Sequence, residues 1–190
     1  MYHFFVEPHQ IGAEEIRIEG ADVNHIRNVL RMKPGEEILI SSREGGDYFC
    51  RVEELEPEYV SAKILEEWEN KELPARIHLF QGLPKGDKME LIIQKAVELG
   101  AYRVVPVSMK RSVVKLDAKK ADAKRKRWNA VSESAAKQSK RSLIPEVASL
   151  MTYKEAVKEA AGYDMVLLPY ESADGIRKTR ELLASVKPGT

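Results

Sequence analysis

Residues 76–107 read as strand, helix, strand, and that order constrains the fold more than any other feature of the chain. Arg76–Leu83 is an apolar strand candidate. Asp87–Leu99 carries Met89, Ile92, Ile93, Ala96 and Val97 at helical spacing, and Gly100 is its stop. Arg103–Val107 is a second short strand. A helix between two strands is the crossover a parallel pair needs, so the unit is predicted to be a right-handed βαβ. The alternation continues through a long helix over 117–139, a strand over Ile144–Val147 and a helix over Thr152–Ala161. A strand over Asp164–Leu168 and a helix over Ala173–Val186 follow. Residues 74–190 are therefore expected to form an open α/β domain.

Before residue 70 the rhythm differs. Tyr2–Val6, Glu15–Ile18, Glu37–Ser41, Asp47–Leu55 and Tyr59–Leu65 are short alternating or apolar runs separated by turn signals, and Gly45-Gly46 predicts a hairpin. One helix interrupts them, with Val23, Ile26, Val29 and Leu30 on its expected buried side and Pro34-Gly35 closing it. Several short strands with one helix predict a small β-barrel over 1–70. The polar stretch Glu69–Pro74 reads as a linker.

Charge separates the same regions. Residues 1–72 hold 8 Lys and Arg against 17 Asp and Glu, whereas residues 73–145 hold 17 against 6, inside a net charge of only +1. So basic a middle third points to a polyanion, although a solvated Lys-rich helix gives the same count. Hydrophobic residues at 43% and charged residues at 32% describe a globular chain with no run approaching the roughly 20 apolar residues of a membrane span. The first residues lack the basic and apolar regions of a signal peptide, and a single cysteine, Cys50, excludes an internal disulfide framework. A cytoplasmic location is expected.

Open α/β sheets bind ligands beyond the carboxyl ends of their strands, which directs attention to two loops. In Gln81–Lys88 two glycines permit close backbone approach, and the helix start offers unpaired N–H groups to an anion. Gly82 and Gly86 are one residue too close for a P-loop, and an ordinary tight turn with exposed Lys85 and Lys88 explains the pattern equally well. The other loop, Pro169-Tyr170-Glu171, follows an apolar run; its carboxylate suits a ribose or amino group, or simply the surface.

The long helix carries Lys119, Lys120, Lys124, Arg125, Lys126 and Arg127, which suits a phosphate backbone, and Trp128 reads as a core contact. Near its end Gln138 and Arg141 lie three apart, a spacing that turns both side chains toward one cleft if the helix continues. An arginine capping the last carbonyls is the other reading. His3, His9, His25 and His78 form no ligand pair, so no metal is expected. Neither a G-x-S-x-G elbow nor a G-x-G-x-x-G fingerprint occurs.

Four blocks together resemble one family. His25-Ile26-Arg27-Asn28-Val29-Leu30-Arg31-Met32-Lys33-Pro34-Gly35 comes first. Lys85-Gly86-Asp87-Lys88-Met89-Glu90 through Glu98-Leu99-Gly100 follows, with Pro106-Val107 and Arg111-Ser112. Arg127-Trp128 precedes Ala135-Ala136-Lys137-Gln138-Ser139-Lys140-Arg141, and Ile144-Pro145-Glu146-Val147 closes the set. In this order they resemble the RsmE-type 16S ribosomal RNA uracil-N3 methyltransferases, with Lys137 standing where that family has an acidic residue. The resemblance implies a PUA-like barrel (1–70, RNA recognition) joined to an α/β-knot SPOUT domain (74–190). It further implies S-adenosylmethionine as cofactor, 16S ribosomal RNA or the small ribosomal subunit as partner, and a homodimer. By the same resemblance Arg141 and Gln138 are catalytic, steadying the uracil or its developing charge, while Leu168, Tyr170 and Glu171 line the cofactor. Arg27, Arg31, Lys33, Lys85, Lys88, Arg111, Lys124 and Arg127 are then expected to meet RNA.

The family pattern continues with a strand, a Gly-Pro-Glu-Gly-Gly loop and a further loop of the knot, none of which this sequence contains. The 190 residues are accordingly expected to lack the C-terminal knot segment and, alone, neither to hold the cofactor tightly nor to methylate RNA. A non-catalytic RNA-binding or ribosome-assembly module, or a metabolic α/β enzyme with a solvated basic helix, are the alternatives.

Overall fold

A computed structural model describes residues 1–110, 116–169 and 177–186. Packing divides the chain into two units, Met1–Glu72 with Glu133–Ile144, and Leu73–Ser132 with Pro145–Thr190.

The first unit is built on strands β1 (Tyr2–Val6), β2 (Glu15–Glu19), β3 (Glu37–Ser42), β4 (Asp47–Leu55) and β5 (Tyr59–Trp68), arranged β1-β3-β4-β5-β2. Only β1 and β3 run parallel; the other ladders are antiparallel. Gly45 and Gly46, both at positive φ, close the β3–β4 hairpin. Two register shifts in the β4–β5 ladder bend the strands, and the sheet curls into a half-barrel. Its concave core contains Phe4, Val6, Ile16, Ile18, Ile26, Ile38, Ile40, Val52 and Val60. Cys50 belongs to the same core, where burial pushes its thiol up to about 12 and keeps it protonated.

The expected helix is α1 (Ala21–Asn24) running into a π-helical turn, His25–Val29. The wider turn advances the phase, so Val23 and Ile26 remain buried while Val29, expected inside, is 63% exposed.

Strands β1 and β3 are buried on both faces: Phe4 and Val6 face the core, yet His3, Phe5, Leu39 and Ser41 are buried as well. Contacts to the second face come from Glu133–Ile144. Ser142 Oγ donates to Asp47, Ser41 Oγ donates to the other Asp47 oxygen, and His3 Nε2 lies 2.8 Å from Ser41 Oγ. Because the Ser41 proton is directed at Asp47, His3 Nε2–H is the donor to Ser41, which leaves Nδ1 bare and buried. Burial, reinforced by the charges of Lys137 and Lys140, lowers His3 to about 4.

In the second unit β6 (His78–Gly82) and β7 (Arg103–Ser108) are parallel, joined through α2 (Lys88–Glu98) as the crossover. Strand β7 is central, pairing in parallel with β8 (Glu146–Val147) and β9 (Met151–Thr152) after the long helix α3 (Ala118–Ser139). Met89, Ile93 and Val97 form the buried face of α2. Gly100 ends it at φ 97°, where any other residue would be strained, and a Cβ there would stand 2.5 Å from Leu73 Cδ1, so that side chain would have to shift. Helix α4 (Tyr153–Ala160) starts with a Thr152–Glu155 capping box. α5 (Arg177–Ala184) is the described part of the last expected helix, residues 173–176 lying outside the described residues.

Asp164–Leu168, expected as a strand, is irregular, with Val166, Leu167 and Leu168 exposed. An apolar run becomes a parallel strand only where neighbouring strands pair its backbone, and no described strand does so here. Strand β9, two residues long, has no β-rich run to mark it in the sequence.

Asn129 of α3 substitutes for a strand neighbour. Its Nδ2 donates to Val147 O at 2.9 Å, and its Oδ1 accepts from Val147 N at 3.0 Å. Asn129→Ala leaves both groups of a fully buried residue without those partners and should cost about 2–3 kcal/mol in urea unfolding; a loss under about 0.5 kcal/mol contradicts the role. The His3 ring gives a pH test. The unfolded ring gains its proton near 6.5 and the folded ring only near 4, so this contribution is complete above the first value and lost as pH falls toward the second. Between pH 7 and 4 the chain should lose roughly 3 kcal/mol more than a His3→Gln variant, measured by denaturant titration; parallel pH profiles contradict this.

Candidate functional site

In the first unit the candidate site forms where α3 ends. Lys140 adopts the left-handed conformation at φ 56°, and Arg141 N–H bonds Ala136 O at 3.0 Å, which is the C-terminal motif that stops a helix. Arg141 therefore lies outside the helix, and the three-residue spacing does not place it beside Gln138. Gln138 is exposed, whereas the Arg141 side chain is 9% exposed.

Arg141 points to Glu72. Its Nε lies 2.9 Å from both carboxylate oxygens, Nη2 also donates to Oε2, and Ser142 N–H donates to Oε1 at 2.8 Å. Glu72 sits in the stretch that reads as a linker, where nothing local marks an acid as a buried partner; only the sequence-distant arginine reveals it. Lys137 Nζ bonds both Asp22 oxygens, at 3.1 and 3.2 Å, and approaches Glu133 at 3.3 Å. The cation found in place of an acidic residue thus has two acidic partners.

Arg27 is half-buried on the π-helical turn, Arg31 follows it at φ 53°, and Lys33 is exposed. These three make no ion pair among the described residues. One short segment thus presents three cations to solvent.

In the second unit, β6 and β7 end side by side, Gly82 opposite Val107. An open depression of about 460 Å³ lies beyond β7, lined by Ser108, Met109, Lys110 and Leu116. A Cβ on Gly82 would meet Met109 Cγ at 3.1 Å, so this glycine lets the two strand ends approach closely. Lys85 and Lys88 are exposed around Gly86, whose φ of 72° makes the turn. Lys124 is half-buried. Arg127 is exposed and held by Glu90, Nε to Oε1 at 2.7 Å and Nη2 to Oε2 at 2.9 Å, while Trp128 is buried as core. Leu168 is 85% exposed; Arg111, Tyr170 and Glu171 lie outside the described residues. No group of three or more metal-ligating side chains occurs among the described residues, and no described helix is long and apolar enough to cross a membrane.

Comparison with known proteins agrees with this order of units. Residues 71–188 match an RNA methyltransferase domain, and residues 18–65 match an RNA methyltransferase PUA domain. The chain is 39% identical over 178 residues to the ribosomal RNA small subunit methyltransferase E of Bacillus subtilis (strain 168), covering 91% of this chain and 69% of that protein. Its counterpart in Synechocystis is 30% identical, with 88% of this chain and 54% of that protein covered. A crystal structure of a hypothetical protein superimposes with a TM-score of 0.90 at 38% identity, covering 99% of this chain and 77% of that one. The Neisseria gonorrhoeae ribosomal RNA small subunit methyltransferase E, solved with S-adenosylmethionine bound, gives a TM-score of 0.73 at 33% identity, covering 84% and 66%.

Sheet, crossover and matched regions together define an RNA methyltransferase with a PUA domain ahead of it. The chain belongs to the ribosomal RNA small subunit methyltransferase E family, and it spans between about half and about seven-tenths of the two curated relatives given above.

The depression beyond β7 is open and Leu168 faces solvent, whereas an adenosyl group is ordinarily held between enclosed apolar walls. Calorimetry on the 190-residue chain is expected to detect no micromolar binding of S-adenosylmethionine; saturable micromolar heat would contradict this.

Proposed function

We propose that this chain serves the S-adenosylmethionine-dependent methylation of uracil N3 in 16S ribosomal RNA, as part of a cytoplasmic enzyme that acts as a homodimer. The observation that carries the reading is the combination of both family regions in one chain with the Ala135–Arg141 block set at a helix end, its arginine locked in place. The cofactor supplies an activated methyl group, so the protein need only orient the base and favour loss of its N3 proton. Arg141 steadies the uracil carbonyl or the charge that grows on it, and Gln138, exposed one position before the end of α3, contacts the same substrate. Leu168, Tyr170 and Glu171 belong to the cofactor loop. Residues 1–70 form the PUA-like RNA-recognition domain, and residues 74–190 belong to the SPOUT domain.

RNA is held through phosphate by Arg27, Arg31, Lys33, Lys85, Lys88, Arg111, Lys124 and Arg127. Exposed 166–169 favours a second reading for the 190 residues by themselves, a module that binds ribosomal RNA without catalysis. Filter binding of small-subunit ribosomal RNA across a salt series tests the shared part. The logarithm of affinity should fall linearly with that of salt, and Lys85→Ala or Lys88→Ala should each reduce the slope by roughly one. A flat response rejects RNA as partner. Nucleoside analysis for 3-methyluridine after incubation with the full-length protein and S-adenosylmethionine separates enzyme from binding module; a full-length protein that forms none rejects the methyltransferase reading.

A further inference from the structure

We infer that Glu72 is the positioning residue for Arg141, setting the plane of the guanidinium that meets the base; the inference rests on the catalytic reading of Arg141 given above. The geometry carries it. Glu72 engages the Nε and Nη2 edge of Arg141 with both carboxylate oxygens and at the same time accepts from Ser142 N–H, so one carboxylate holds a side chain and the next backbone unit together. Arg141 has just left the helix through the left-handed Lys140, and a side chain leaving a helix end has no neighbouring turn to fix its rotamer. The fork-to-fork pairing supplies that restraint, because it defines direction and plane together. Both partners are nearly buried, 9% and 14% exposed, so the pair is little screened by solvent.

The carboxylate is itself anchored from both sides of the sequence. Ser142, whose N–H it accepts, also donates its hydroxyl to Asp47, and Asp47 accepts from Ser41 in β3. Through these contacts the orientation of Arg141 is referred to the sheet of the first unit. Gln cannot replace this carboxylate, since its amide would set an N–H group against the guanidinium donors.

The test is steady-state methylation of small-subunit ribosomal RNA by the full-length protein carrying Glu72→Gln, Arg141→Ala or both. Glu72→Gln should lower kcat on the order of 10²-fold while KM for RNA stays within about twofold. The double variant should be no slower than Arg141→Ala alone, because Glu72 acts through the arginine. An unchanged kcat, a change confined to KM, or losses that multiply in the double variant would overturn the positioning role. If Arg141→Ala itself retains normal kcat, the catalytic reading fails first, and that outcome is distinct. Should Glu72→Gln not fold, nuclear magnetic resonance of the unmodified 190-residue chain decides: the Arg141 Nε–H signal should persist against solvent exchange, and exchange as fast as that of an exposed arginine overturns the proposal.

Discussion

The sheet of the first unit has two faces to bury, and the second is reached by a segment far along the chain. Glu133–Ile144 brings Ser142 to Asp47, and through Asp47 and Ser41 the contact continues to His3; the same segment brings Arg141 to Glu72, 69 residues earlier. Each of these groups is buried or nearly so, and a buried polar group without a partner costs about 1–3 kcal/mol, more if charged. The network is therefore a condition on the fold. Removing the segment would take Ser142 from Asp47 and both Arg141 and Ser142 from Glu72. An ion pair of this kind adds little net stability compared with apolar residues of the same shape, but it admits one arrangement and penalises the others.

The same contacts change what the acidic count of residues 1–72 means. Seventeen acids against eight bases suggest a surface that repels RNA. In the folded unit Asp22 and Glu72 are occupied by Lys137 and Arg141, both supplied from Glu133–Ile144, and Arg43 lies between Glu7 and Glu133. The cations on and just after the π-helical turn, Arg27, Arg31 and Lys33, are then not answered by those acids. A wide turn and a left-handed Arg31 are local costs accepted in one short segment, and their effect is to present these side chains outward.

Much of the architecture was legible because its signals are local. Alternating or apolar runs located β1 to β5, and Gly45-Gly46 identified the hairpin between β3 and β4. Helical spacing in Met89, Ile93 and Val97 with Gly100 behind them located α2 and hence the parallel pair it connects. Four blocks of motif were enough to indicate the family, which the matches over residues 18–65 and 71–188 bear out. Where the reading departed from the structure, the backbone took a turn, or lacked a strand partner, that the hydrophobic pattern does not encode. Val29 follows the helical pattern and is exposed because one wide turn shifts its phase. Val166-Leu167-Leu168 is apolar enough for a strand, yet β structure requires a partner as well as a sequence. Gln138 and Arg141 have helical spacing, but a left-handed Lys140 ends α3 between them, so that spacing no longer sets how they face.

The order of residues by itself determined which segments can be strands or helices, that two strands flanking α2 run parallel, and where cations gather, since propensity, periodicity and charge depend on neighbours within a few positions. Tertiary structure alone decided that Glu72 in an apparent linker would hold Arg141, that Asn129 would complete the edge of β8, and that Glu133–Ile144 would pack with the first unit. Those outcomes rest on burial of polar groups whose partners lie 18 to 95 residues apart, and nothing in either local sequence announces the other.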